Sequence, residues 1–242
     1  MTIGYYICDM TFAQKIINFN EHLTYTGLAL PPGIGIMNPF AGDMSQAETV
    51  RAIGRAFYQK YYNDEERRHL ILGINPGRFG AGLTGIPFTD PKRLRTECDL
   101  HFNIPDAHEP SSVFIYEMIN AFGGPEAFYK KIHINSAFPL GFVQMKNGKE
   151  VNYNYYDSKA LIDAVRPAII ENIQKQIAMG VYTDVCFCFG TGKNYEFLNK
   201  LNQQYNFFGK MVPLEHPRFI MQYKSKSKQK YIDKYLEAFH SV

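Results

Sequence analysis

Leu72-Gly73-Ile74-Asn75-Pro76-Gly77-Arg78-Phe79-Gly80-Ala81-Gly82-Leu83-Thr84-Gly85-Ile86-Pro87-Phe88 is the most informative run of the chain. The apolar stretch Leu70 to Ile74 reads as a short buried strand, and Asn75-Pro76-Gly77 stops it. Four glycines, two prolines and an arginine follow directly. Glycine admits backbone conformations and a close ligand approach that other residues resist. A long structured loop at a strand end often carries function, although ordinary turn chemistry in a surface loop looks the same. The spacing is neither a Walker phosphate loop nor the GxGxxG dinucleotide fingerprint.

Outward from this loop, short apolar runs alternate with helical signals. Ile132-His133-Ile134-Asn135 is a second strand, and Val185 to Phe189 is a third, closed by Gly190-Thr191-Gly192. Val212-Pro213-Leu214 is a poorer fourth strand leading to His216-Pro217. Thr11-x-x-Gln14 and Ser45-x-x-Glu48 read as capping boxes, each before an apolar helical pattern. Ser111 or Ser112 is placed to cap a helix that runs to Phe122 and closes at Gly123-Gly124. Ala160 to Met179 is expected to be helical, with a bend or break near Pro167. A helix with Tyr195, Leu198 and Leu201 follows, and the last helix presents Tyr231, Ile232, Tyr235, Leu236 and Phe239.

Strands separated by helices predict an α/β fold, a three-layer α/β/α sandwich around a central four-stranded parallel sheet. A length of 242 residues suits one such domain over 1–242. In these sheets ligands bind beyond the carboxyl ends of the strands. Those ends carry Asn75, Asn135, Gly190-Thr191-Gly192 and His216.

Composition narrows the class further. With 45% hydrophobic and 20% charged residues, the chain is neither disordered nor fibrous. Its apolar runs are far short of the ~20 residues needed to cross a bilayer. Met1 to Tyr6 has no basic segment before an apolar one, so no signal peptide is expected. Four cysteines are too few for a disulfide scaffold, so a reducing, cytoplasmic location is expected. Cys186 and Cys188 share one face of a strand as core residues, and Cys8 and Cys98 are isolated. No Cys-x-x-Cys site exists, so neither a metal nor another cofactor is expected. From Lys210 onward, Lys210, Arg218, Lys224, Lys226, Lys228, Lys230 and Lys234 outweigh Glu215, Asp233 and Glu237, giving this segment +4 while the whole chain carries +3. This is either a phosphate-binding footprint or a helix face kept soluble by lysines.

The Asn75 to Phe88 loop resembles motif 1 of the uracil-DNA glycosylase superfamily. It is most similar to family 3, the single-strand-selective monofunctional type, whose loop also runs Asn-Pro-Gly-x-Phe-Gly and then Thr-Gly-x-Pro-Phe. Two further matches follow in order. His133-Ile134-Asn135-Ser136-Ala137-Phe138-Pro139-Leu140 is similar to the segment holding the base-reading asparagine, and His216-Pro217-Arg218 is similar to motif 2. Weaker similarity extends to Ile36-Met37-Asn38-Pro39 and Phe189-Gly190, so the resemblance spans nearly the whole chain.

The resemblance implies cleavage of the C1′–N1 bond of a damaged nucleoside in DNA, by a monomer with no membrane association. A base inside a duplex is unreachable, so it must be flipped out or already unpaired. Asn135 would read uracil O4 and N3, a bidentate contact worth ~1–3 kcal/mol of discrimination. Phe88 would stack on the ring, for ~1–3 kcal/mol, with Gly77, Phe79 and Ala81 also at the base. His216 would donate one N–H to O2 of the departing anion as a neutral imidazole. Asn75 would position water through its carbonyl oxygen, since an amide takes no proton at neutral pH. Arg218 would fill the gap left by the base, with Phe219 or Ile220 as an apolar wedge. Lys224, Lys226 and Lys228 would meet phosphates, and Lys193, after Gly190-Thr191-Gly192, another phosphate at a helix start. His133, like the remaining histidines, reads as structural or exposed.

Some positions depart from the family pattern. Arg78 stands where a proline is typical, Ala81 where a larger methionine is usual, and Arg218 to Tyr223 replaces a more polar insertion loop. These departures imply a divergent bacterial branch and leave open both the substrate, among uracil, hydroxymethyluracil, xanthine and hypoxanthine, and the preference for single or double strands. Two other readings stay open on the residues alone: a non-catalytic binder of damaged DNA on the same scaffold, and a hydrolase of small nucleosides.

Overall fold

A computed structural model describes residues 10–41 and 43–242. Cys8 and the segment read against a signal peptide lie outside the described residues. The chain forms α1 (Phe12–Glu21), β1 (Ile34–Met37), α2 (Met44–Tyr62), β2 (Arg68–Gly73), α3 (Ala81–Thr84), α4 (Pro91–Thr96), α5 (Pro110–Phe122) and α6 (Pro125–Lys131). It continues through β3 (Ile132–Ser136), β4 (Gly141–Lys146), β5 (Lys149–Tyr153), α7 (Lys159–Met179), β6 (Val181–Phe189), α8 (Lys193–Tyr205), β7 (Lys210–Leu214), α9 (Pro217–Tyr223) and α10 (Lys228–His240).

The expected four-stranded sheet is present, in the order β3-β2-β6-β7, with every neighbouring pair parallel. β2 and β3 are buried along their whole length, as parallel strands covered on both faces must be. β6 shows how the two faces are filled. Phe187 and Phe189 point toward α10, meeting Phe239 at 4.8 Å and Tyr235 at 5.5 Å. Cys186 and Cys188 alternate to the other side, where Asn194 of α8 donates Nδ2–H to Cys188 Sγ. The layers are α2, α5, α6 and α10 on one face and α7 and α8 on the other. Pro213 is tolerated in β7 because this strand is an edge, paired only with β6. No helix among the described residues is long and apolar enough to cross a membrane.

Several local expectations change. A second, antiparallel sheet, β1-β4-β5, was not anticipated. Its signal was present: Asn147-Gly148 joins β4 to β5 with φ of 52° and 72°, as a two-residue hairpin turn requires. Thr11 does form the expected capping box with Gln14. Ser45 does not cap α2; Asp43, two residues earlier, accepts from the Ser45 and Gln46 N–H groups. Neither Ser111 nor Ser112 caps α5, because Pro110 already occupies the first turn and Ser112 Oγ donates to Asp90 at 2.7 Å. α7 runs through Pro167 without a break, since buried Val165, Ala168 and Ile169 hold that stretch against the core and outweigh one lost hydrogen bond.

At the entrance of β2, Arg68 is fully buried. Its guanidinium pairs with Asp64, donates to the Tyr129 and Glu66 carbonyls, and lies 5.1 and 5.3 Å from the rings of Phe12 and Tyr62. His133 meets the same two rings edge-on, at 5.4 and 5.8 Å, and neither ring nitrogen has a hydrogen-bond partner. Burial, then the Arg68 charge, hold the imidazole down at about 3. An unfolded histidine takes its proton near 6.5, whereas this one stays neutral until about 3. Its contribution to stability is therefore complete above 6.5 and lost as pH falls through that window. Urea unfolding across this range is expected to show a slope approaching about 1.4 kcal/mol per pH unit, which His133→Leu reduces while leaving neutral-pH stability intact. An unchanged slope in the variant would contradict this assignment.

Candidate functional site

The chain passes from β2 outward to β3, then returns to lay β6 and β7 on the other side of β2. A crevice opens where these directions diverge, at the carboxyl ends of β2 and β6. A cavity of about 430 Å³ fills it. Its walls come from the loop after β2, the end of the β4–β5 hairpin, and the starts of α8 and α9.

Asn75 is fixed by backbone on both sides of its amide. Its Nδ2 donates to the Tyr153 carbonyl at 3.1 Å, and its Oδ1 accepts the Tyr155 N–H at 3.0 Å. An amide oxygen has two lone pairs, so one remains for another donor. Gly77 and Ala81 line the same cavity, as does Phe88. Phe88 has φ of 55°, a left-handed conformation that a phenylalanine keeps only when its surroundings hold it. Its ring meets Phe189 edge-on at 5.3 Å and His216 at 5.7 Å. Gly73 lies close beneath it: a Cβ there would press on the ring at 3.3 Å and stand 3.4 Å from the Asn135 carbonyl.

His216 is the N-cap of α9, its Nδ1 accepting the Arg218 N–H at 3.1 Å. Nε2 therefore carries the ring hydrogen. Burial, then Arg218, push the imidazole down to about 4, so at neutral pH it is an uncharged donor. Asn135 is buried at the end of β3, with Oδ1 accepting the Ser136 N–H at 2.8 Å. It does not line the wide cavity. It borders a small enclosed space behind it, and the two share Pro76, Ala81, Pro87 and Ser136. Asn135 thus marks the closed end.

Other expected residues divide. Phe79 is 52% exposed and outside the cavity lining; its ring covers the Arg78 guanidinium at 5.1 Å instead. Arg218 and Phe219 line the rim, and Phe219 pairs with exposed Tyr223 at 5.5 Å. Ile220 is fully buried, so it is no wedge: with α9 starting at Pro217, positions 219 and 223 share the outward face and 220 turns inward. Lys193 is exposed on the rim, and Lys224 and Lys226 are exposed beyond α9. Lys228 is paired with Glu117 at 2.5 Å and leaves the free basic set.

Two contributions were not legible in the sequence. Asn152, on β5, lines the cavity and accepts the Arg78 N–H at 3.2 Å through Oδ1. The hairpin signal could have placed Asn152 on a strand, but not over the loop. Glu109 also lines the cavity, and its Oε2 is sealed from solvent without a hydrogen-bond partner. Burial, then the nearby Asp90 charge, push this carboxyl up to about 7, with Arg218 acting in the opposite direction. Nothing in His108-Glu109-Pro110 signals that placement.

The model of the uracil DNA glycosylase superfamily matches residues 59–240. Among solved structures, wild-type SMUG2 of Pedobacter heparinus is 65% identical, with a TM-score of 0.92 over 96% of this chain and 98% of that one. No curated protein matches the chain.

The clamp on Asn75 yields a test. Asn75→Asp keeps the acceptor but turns a second oxygen toward the Tyr153 carbonyl, replacing a hydrogen bond by repulsion. Thermal unfolding is expected to report a loss of about 1–3 kcal/mol. An unaltered melting temperature would mean that the amide is not held by the hairpin.

Proposed function

The chain belongs to the uracil-DNA glycosylase superfamily, and from that premise we propose that it removes uracil, or a related deaminated base, from DNA by monofunctional hydrolysis. As a member of the family it is a hydrolase of N-glycosyl bonds acting on DNA in base excision repair. The observation that carries the finer reading is the pairing of a backbone-locked Asn75 and a neutral His216 around one cavity that Phe88 also lines.

In this reading the extruded base slides against Phe88 with its O4/N3 edge toward the closed end. The free Nδ2–H of Asn135 donates to O4, and the second lone pair of Oδ1 accepts N3–H. Cytosine presents a donor and an acceptor the other way round and is refused. His216 Nε2–H donates to O2, where negative charge collects as the C1′–N1 bond breaks. A neutral donor suits this task, because it strengthens its bond as the charge grows without first binding the ground state as an ion pair. Water held by the spare lone pair of Asn75 adds to C1′. No lysine is invoked to form a covalent adduct with the sugar, so the strand is left intact at an abasic site. Arg218 and Phe219 at the rim occupy the space vacated by the base, and Lys193, Lys224 and Lys226 meet phosphates.

The test is a gel assay with single- and double-stranded oligonucleotides carrying uracil, xanthine or hypoxanthine, followed by alkali. Abasic product is expected from at least one of them, and product from none would overturn the reading. Binding without product would make the chain a damaged-DNA binder, and turnover of free deoxyuridine alone a nucleoside hydrolase. His216→Ala is expected to slow the single-turnover rate by at least ~10²-fold. Paired Lys224→Ala and Lys226→Ala substitutions should instead weaken DNA binding and flatten its dependence on salt, read by fluorescence anisotropy. A steeper or unchanged salt dependence would remove these lysines from the DNA path.

A further inference from the structure

Two carboxylates line the cavity. Glu215 is committed elsewhere, since both its oxygens receive Lys234 Nζ, at 2.9 and 3.0 Å. Glu109 differs. Among the described residues no cation pairs with it, and its Oε2 has no partner at all. Its carboxyl packs directly on the loop that begins at Asn75. A Cβ added at Gly80 would sit 2.0 Å from Oε2, and one at Gly77 would sit 3.4 Å from Oε1. Gly80 therefore leaves the space that the carboxyl occupies. Glu109 lines the wide part of the cavity with Asn75 and His216, and does not border the closed end with Asn135. With the O4/N3 edge of the base turned to the closed end and its ring on Phe88, the C1′–N1 bond and the sugar face the rest of the wide part.

The other polar groups at this wide part do not supply a base. Asn75 takes no proton at neutral pH. The His216 Nδ1 lone pair is occupied by the Arg218 N–H, and its other nitrogen is a donor. We propose that Glu109 is the catalytic residue that takes the proton of the attacking water, an inference resting on the glycosylase reading above. The C1′–N1 electron pair leaves with the base. The water oxygen bonds to C1′, and one water proton moves to the Glu109 carboxylate. Glu109 then releases that proton to the base anion or to solvent and is restored. Its negative charge also faces the positive charge that develops on the sugar.

The surroundings fit this work. Asp90 at the start of α4 faces Glu109 with like charge, while Arg93 and His108 lie against Asp90 itself, at 3.4 and 3.8 Å. Arg218 of α9 faces it with opposite charge. Arg78, in the adjoining loop, turns toward Glu150 at 3.9 Å and the Phe79 ring. A base that titrates near 7 balances being ionised against holding the proton it takes. The rate should then fall as pH drops below that point. His216 adds nothing to this limb, because it stays neutral down to about 4.

The experiment is single-turnover cleavage of a uracil-containing single strand by the wild type, Glu109→Gln and Glu109→Asp, from about pH 6 to pH 9. Melting temperature and affinity for an abasic-analogue strand are measured alongside. Glu109→Gln is expected to lose about 10²-fold in rate at the alkaline end and to lose the acid limb, with folding and DNA affinity preserved. Glu109→Asp, which keeps the acid, should retain the limb at a reduced rate. A wild-type rate and profile in Glu109→Gln overturns the proposal. So does a loss that follows weakened DNA binding or melting alone. A wild type without turnover overturns the glycosylase reading itself, and so is told apart from failure of this inference.

Discussion

The hydrogen bonds between the Asn75 amide and the backbone of Tyr153 and Tyr155 join the two sheets of this protein. The parallel sheet delivers Asn75 at the end of β2, and the antiparallel hairpin delivers the carbonyl and N–H that orient it. One partner is an acceptor and the other a donor, so only a group with both polarities satisfies them. The same junction is sealed nearby. Gly141, at the start of the hairpin, lies so close to the Pro76 carbonyl that a Cβ would stand 2.9 Å from it. Tyr155 continues the chain of contacts, its hydroxyl donating to Asn194 Oδ1 at 2.6 Å at the start of α8. Three walls of the cavity are thus tied to one amide.

The groups around the cavity set a distinct electrostatic character. At the closed end the polar residues are Asn20, Asn135, Tyr58 and Ser136, none of them charged, and the imidazole at the wide end is neutral. The formal charges, Glu109, Glu215, Lys193 and Arg218, all line the wide part and none borders the closed end. A neutral heterocycle is matched to the interior, while a sugar gaining positive charge and a phosphate chain are matched to the mouth. Preorganised dipoles in a water-poor pocket do not have to reorient as charge develops, and that is where their effect on a rate arises.

The sequence disclosed most where chemistry and chain order coincide. β2, β3, β6 and β7 were readable because each is an apolar run stopped by glycine, proline or asparagine. Asn75 and His216 were readable because each sits within a few residues of a strand end, whereas Phe88, far along the loop after β2, was readable only through the motif it closes. The hairpin is signalled locally only by Asn147-Gly148, since its strands carry exposed polar and charged residues rather than an apolar run. Glu109 and Asn152 were beyond reach for a different reason. Both come to the cavity only through packing between elements distant in sequence, and no local spacing encodes that. Phe79 shows the limit within a motif: adjacency to Gly77 and Gly80 does not say which side of a turn a ring takes, and here the Arg78 guanidinium keeps it outside. The helix starts misread by two or three residues show two causes: at α2 Asp43 takes the cap that Ser45 also offered, and at α5 Pro110 fixes the first turn with no side-chain cap at Glu109.

The left-handed backbone at Phe88 limits how this site can diversify. Conformational strain at such a position costs on the order of 1–3 kcal/mol, and a branch at Cβ would add a steric clash of its own. Valine, isoleucine and threonine are therefore closed to drift here, regardless of what the ligand would accept. Histidine, asparagine or glycine can inherit the turn but not the broad flat face. The platform can change its chemistry only through a narrow set of neighbours, so new base preferences in this lineage have easier routes through Ala81 and the enclosed space beside it than through Phe88.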